Sequence, residues 1–211
     1  MQLCKILAVV ATLTLCSCTT LDTNVSAYSK IPADLQPKTV QIVPLVPEDG
    51  KSLEWQTVAS KLATSLTEKG YTVVASRKQA RLTAGLGFLI DGGERVASSY
   101  SIPQYGVTGY SGATTSGTVV GNYYSATTTY TPTYGVTGYS SGTRVDTIFT
   151  RGTMLLIQDN NTRQTVFEAK ATSQGDCGNI ALVAPVMIEA ILSEFPAGKI
   201  GTVTEIVDWE C

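Results

Sequence analysis

From Leu82 to Ile90 the chain alternates with a period of two. Leu82, Ala84, Leu86, Phe88 and Ile90 fall on one face, and Thr83, Gly85, Gly87 and Leu89 on the other, with Arg81 just before. That period marks a strand with one buried face. The two glycines either make room for a close neighbour or weaken the strand. Upstream, Thr39 to Leu45 reads as a strand that ends at Pro44 and Pro47. Between these two strands the period changes. Trp55, Val58, Ala59, Leu62 and Leu66 recur at helical spacing, Ser52 is placed to cap the N-terminus, Glu54 sits in the first turn, and Gly70 can end the helix in a left-handed conformation. Trp55 lies on the apolar stripe and is read as core. Tyr71 to Ala75 follows as a short strand.

The C-terminal part repeats these patterns. Asp146 to Gln158 and Thr165 to Thr172 form a strand pair joined by the turn Asp159-Asn160-Asn161-Thr162. In the second of these strands Phe167, Ala169 and Ala171 face inward, while Glu168 and Lys170 face solvent. Ile180, Val183, Ala184, Met187, Ile188, Ile191 and Phe195 then share one side of a helix. Pro185 is read as kinking it after a short first turn, and Pro196 stops it. Ile200 to Val207 adds a last strand. Two amphipathic helices covering one face of a mostly antiparallel sheet, an α+β fold, is the economical arrangement of these elements.

The middle of the chain is different. Between Arg95 and Arg144 there is no charged residue, and eight of the ten tyrosines lie there among Gly, Ser and Thr. Within it, Tyr105-Gly106-Val107-Thr108-Gly109-Tyr110-Ser111 recurs identically as Tyr134-Gly135-Val136-Thr137-Gly138-Tyr139-Ser140. An identity of seven residues in so short a chain is a duplication, although two copies do not make a solenoid. The insertion, residues 96–143, has two readings: a disordered low-complexity segment, or a β-hairpin-like arm whose repeats pair within or between subunits. Tyr105, Tyr110, Tyr134 and Tyr139 are its candidate interaction surface. An alternative use of clustered tyrosines is to stack on glycan or peptidoglycan, since each ring has an apolar face and a polar tip.

The N-terminus supplies an address. Met1 to Lys5 carries one positive charge, and the apolar run Ile6–Leu15 has the length of a signal-peptide core and is too short to span a bilayer. Leu15-Cys16-Ser17-Cys18 resembles the bacterial lipobox, so cleavage is expected before Cys18, which becomes the lipid anchor; an ordinary secretory signal is the competing reading. Thr19, in place of the Asp that retains sorted lipoproteins at the inner membrane, implies export to the outer membrane, with the domain facing the periplasm. Residues 1–17 are thus the signal peptide, 18–37 the lipidated N-terminus and a tether, and 38–211 a single domain.

Charge and cysteine content narrow the partners. Removing the signal leaves 194 residues with 14 basic and 17 acidic side chains. No Lys/Arg cluster exists to neutralise phosphates, so no nucleic-acid partner is expected. Cys4 and Cys16 leave with the signal and Cys18 carries lipid, so Cys177 and Cys211 remain as an even pair, best read as a disulfide in an oxidising compartment. A metal site on two thiols in a chain without His is a poor zinc set.

Catalytic chemistry is sparse. The absence of His removes Ser-His-Asp arrangements and the commonest general base. Gly138-Tyr139-Ser140-Ser141-Gly142 matches G-x-S-x-G, but it lies in a Gly/Ser-rich repeat and lacks a His partner. No Ser-x-x-Lys pair and no phosphate-binding loop occur. Asp91 beside Glu94 is the nearest approach to a two-carboxylate hydrolase, and Asp159-Asn160-Asn161 lacks the later ligands of a calcium loop. No cofactor and no metal are expected. The expected role is therefore a non-enzymatic accessory, scaffold or self-assembling module. Its expected partners are the membrane, through lipid, and either an unidentified envelope protein or another copy of the chain.

Several features occur together in a familiar order. A lipobox precedes Lys38-Thr39-Val40, then Ser52-Leu53-Glu54-Trp55-Gln56 opens a helix. The Tyr-Gly-Val-Thr-Gly-Tyr segment lies mid-chain, and Ala184-Pro185-Val186-Met187 precedes Phe195-Pro196. Over most of the mature chain this resembles the DUF4136 lipoproteins, a bacterial family of uncharacterised function. The resemblance implies an α+β envelope domain and brings no active site with it.

Overall fold

The computed structural model describes residues 19–207 and 211. The signal peptide, its cleavage point and Cys18 lie outside the described residues. The chain divides into two compact units, one formed by residues up to Glu94 together with Ile148–Cys211, the other by Arg95–Thr147.

The first unit is α+β. In chain order it holds β1 (Thr19–Ser29), β2 (Thr39–Pro44), a 3-10 turn at Pro47–Lys51, α1 (Leu53–Glu68), β3 (Thr72–Val73) and β4 (Leu82–Ile90). After the inserted unit come the end of β6 (Tyr123–Asp159), β7 (Thr165–Gly175), α2 (Ile180–Leu192) and β8 (Lys199–Val207). The strand order is β3-β2-β4-β6-β7-β1-β8. β2 runs parallel to β3 and β4, as the helical crossover through α1 requires, and the pairs β4·β6, β6·β7, β7·β1 and β1·β8 are antiparallel.

Alternation decides which face is covered. Leu21, Val25 and Ala27 of β1, Leu82, Ala84 and Leu86 of β4, Leu155 and Ile157 of β6, and Phe167, Ala169 and Ala171 of β7 are all buried. They share one core with Val58, Leu62 and Leu66 of α1 and with Val183, Met187, Ile188 and Ile191 of α2. α1 starts as its sequence dictates: Ser52 Oγ accepts from the amide of Trp55 at 3.4 Å, and Gly70, at φ 84°, follows its last turn. Trp55 is half-buried, and its indole N–H donates to the carbonyl of Leu86 at 3.2 Å. α2 passes through Pro185 as one helix of 13 residues, so the separate first turn expected there is continuous with the rest.

The open question about Gly85 and Gly87 is settled by Leu45. A Cβ on Gly85 would lie 2.6 Å from Leu45 Cδ2, and one on Gly87 would lie 3.1 Å from Leu45 Cδ1. The glycines accept a leucine laid across the strand. They do not mark a weak point in it.

One expectation needs correction. Where a tether is expected over residues 18–37, Thr19–Ser29 is β1, paired with β7 on one side and with β8 on the other. Its buried face is made of Leu21, Thr23, Val25 and Ala27. Two of those four are a hydroxyl residue and a methyl group, so the period of two is there but carries little hydrophobic contrast.

Candidate functional site

The second unit consists of Arg95–Thr147: the greater part of β5 (Glu94–Val120), the first part of β6, and a two-residue turn at Gly121-Asn122. Gly121 sits at φ 60°, the conformation that lets a two-residue turn follow the twist of a hairpin. Across this turn β5 pairs with β6, so the unit is a two-stranded hairpin. Thr, Tyr and Val populate it because side chains that are β-branched or aromatic fit a pleated surface.

The duplication has a geometric basis inside this hairpin. Gly106 faces Thr137 and Gly135 faces Thr108; in both cases a Cβ on the glycine would lie 3.0 Å from the threonine Cγ2. The hydroxyl of Thr108 donates to the carbonyl of Thr133 at 3.3 Å, and that of Thr137 donates to the carbonyl of Gln104 at 3.2 Å. In each copy the threonine is the fourth residue of the repeat, and its acceptor is the residue just before the other copy. The two copies are thus related by a local two-fold centred on Val107 and Val136. Matched exposures follow the same symmetry: Tyr105 and Tyr134 are 73% and 72% exposed, Tyr110 and Tyr139 66% and 70%. The symmetry ends where the repeat meets residues outside it: Tyr110 packs obliquely on Tyr130, with ring centroids 5.4 Å apart.

All four candidate tyrosines therefore lie on one hairpin with their rings in solvent. Val96, Tyr100, Ile102, Val119, Val120, Tyr123 and Tyr124 are also exposed there. Each strand pairs with the other and, within this unit, leaves its outer edge of amides and carbonyls open. Soluble proteins blunt such edges with charge. Here there is none from residue 96 to 143.

The other sequence candidates have structural tasks. Asp91 Oδ1 accepts from the amides of Gly93 and Thr150, both at 3.0 Å, and these bonds hold its carboxyl below the usual carboxylate range. Glu94 is exposed at the first position of β5. Gly138-Tyr139-Ser140-Ser141-Gly142 lies within β6, far from the strand-to-helix turn that a hydrolase nucleophile requires. Cys177 and Cys211 come together as a disulfide, with Cα atoms 5.2 Å apart and a sequence separation of 34. Among the described residues no cluster of three or more Cys, Asp or Glu could hold a metal, and no helix is long and apolar enough to cross a membrane.

Asp159 organises a polar knot at the turn between β6 and β7. Its Oδ2 accepts from Arg81 Nη2 at 2.6 Å and its Oδ1 accepts from the amides of Asn161 and Thr162. Arg81 is the main cause, with those amides adding, of a carboxyl pKa held below the ordinary value of 3.8. A depressed folded-state value gives stability that is complete above the unfolded-state pKa and is lost as pH falls through the folded one. The urea midpoint is expected to hold from pH 7 down to roughly pH 4 and to fall below it, with Asp159→Asn flattening that fall. An acid limb as steep in Asp159→Asn as in the parent would assign it to other carboxylates.

Sequence reading missed Arg151. Its register partner on β7 is Ser173, whose partner on β1 is Thr23, so the three make one polar row across the helix-covered face. Arg151 is 1% exposed; its guanidinium donates to the carbonyl of Cys177 at 3.2 Å and to Ser173 Oγ at 3.4 Å. A Cβ on Gly175 would lie 2.6 Å from Arg151 Nη2. The arginine thus holds the turn that carries Cys177. An arginine spaced like a core residue is the signal that could have revealed it.

The opposite face of the first unit carries an apolar groove of about 320 Å³, in which Leu45, Leu89 and Met154 surround Gly87 and Gly152, with Lys170 among its lining residues.

A protein-family model described as a domain of unknown function (DUF4136) matches residues 24–197. No curated protein matches the chain. Among solved structures, the chain is similar to a PDZ domain protein from Parabacteroides distasonis at 12% identity and a TM-score of 0.42; 88% of this chain is covered. It spans only 39% of that protein's length. It is also similar to the PelC dodecamer from Paraburkholderia phytofirmans at 15% identity and a TM-score of 0.42, with 84% of this chain and 99% of that one covered. A variant of that dodecamer gives 15% identity and a TM-score of 0.41, with 83% and 98% covered.

Proposed function

The chain belongs to the DUF4136 family, a domain family of unknown function, and on that premise we propose that it is a cell-envelope lipoprotein acting without catalysis, as a scaffold that self-assembles through its hairpin arm. The observation that carries this reading is the arm itself: a charge-free two-stranded ribbon with exposed tyrosines and valines and two open outer edges. Such edges are templates for a further strand. The lipobox ending at Cys18 supports the address, facing the periplasm and at the outer membrane by the residue that follows it. With more than one acyl chain the anchor is stable, at ~0.8 kcal/mol per buried methylene.

Size-exclusion chromatography with light scattering tests it on soluble residues 19–211 beside a variant lacking 97–143. The full fragment is expected to form an oligomer that grows with concentration, and the deletion to run as a monomer. Monomers in both cases, at concentrations up to about 1 mM, would end the self-assembly reading.

A further inference from the structure

We infer that the partner strand is the arm of a second copy, docked so that the β6 copy of the repeat in one chain lies against the β5 copy in the next. This rests on the self-assembly reading above and names the register through which it occurs. The contact already exists inside each hairpin. Gly106 against Thr137, Gly135 against Thr108, and the two threonine hydroxyls on Gln104 and Thr133 show that one copy of Tyr-Gly-Val-Thr-Gly-Tyr is the complement of the other in antiparallel register. Both copies also lie at an outer edge, one on each strand.

Placing the sequence on both strands has a consequence for symmetry. A two-fold dimer through one edge needs the repeat on one strand only and leaves the other edge open. A repeat on both strands lets each hairpin offer one edge and accept on the other, which is a heterologous contact and closes as a ring or extends as an array. Neither edge carries a charge between residues 96 and 143 to oppose a neighbour. Gly106 and Gly135 keep the ribbon thin where the threonine side chains lie across it. Val107 and Val136, 46% and 42% exposed, mark the centre of the register.

Single cysteine variants read this out. In residues 19–211, Cys177 and Cys211 are the only cysteines and they occupy each other. Val107→Cys and Val136→Cys are prepared separately, each with a free thiol. Opposed residues in an antiparallel pair have Cα atoms about 4.5–5.5 Å apart, within the span of a disulfide. Mixed under mild oxidation, the two variants are expected to give a band at twice the monomer mass, with at least tenfold less from either alone. Ser116→Cys mixed with Val136→Cys is out of register and should give no such band. Crosslinking of either valine variant with itself would mean a two-fold dimer and overturn the inference. So would an oligomer that disappears on deletion of 97–143 but gives no crosslink in the mixture, and in that case self-assembly through the arm would survive. A full fragment that is monomeric by light scattering would remove both.

Discussion

Phe167→Ala is expected to cost about 3–5 kcal/mol, the range for an aromatic truncated to Ala in a packed core. Phe167 is 1% exposed on β7, and its ring stands edge-on to Phe195 with centroids 5.1 Å apart. Phe195 in turn packs on Tyr71 at 5.4 Å. These three rings bind the sheet to the residues after α2 and to the turn before β3, so the truncation empties a junction between distant parts of the chain. Each aromatic pair adds about 0.5–1.5 kcal/mol beyond its buried area. For a domain of this size a loss of this order lowers Tm by roughly 10 °C. Phe167→Leu keeps much of the volume and should lose less than half as much. Urea titration followed by circular dichroism measures both, and a loss below about 1 kcal/mol for Phe167→Ala would contradict close packing at that junction.

Opening the Cys177–Cys211 link is expected to have the next largest effect, about 3–4 kcal/mol from the loop it closes. The structure says where that loss should appear. Cys177, whose carbonyl is held by buried Arg151, lies in the turn between β7 and α2, while Cys211 follows β8, which stands beside β1 at the end of the strand order. The link therefore pins the free end of the sheet to its rigid interior. Cys177→Ser with Cys211→Ser, or reduction of the parent, should lower the urea midpoint and raise amide exchange first in residues 199–207. Equal midpoints with and without reductant would show that the two sulfurs are not joined in solution.

Elements with strong contrast between their faces were legible from sequence. The stripe on α1, its Ser52 cap and Gly70 end, the period of two in β4, and the turn at Asp159 all stand where local chemistry puts them. Helix periodicity also led to α2, though not to its continuity through Pro185. What stayed hidden depends on partners far away in sequence. β1 buries a threonine and an alanine because α2 and the neighbouring strands crowd its face, and no window of eleven residues contains that information. The parallel pairing of β2 with β4 follows from the crossover path. For the arm, the repeat and the missing charge were plain in the sequence, but the register of the hairpin rests on contacts such as Thr137 to Gln104 and Thr108 to Thr133, between residues distant along the chain. Arg151 was invisible for a related reason: burying a guanidinium makes sense only once the Cys177 carbonyl, Ser173 and the space at Gly175 are assembled around it.

On the proposed anchoring, β1 is the element through which the domain would bear mechanical load. It begins at Thr19, directly after the proposed acylated cysteine; residues 19–27 pair with β8 on one side and residues 23–29 with β7 on the other. Tension drawn through the lipid would enter the domain at this strand. It would strain both ladders in shear, many hydrogen bonds at once, where a strand pulled sideways from an edge would peel one bond at a time.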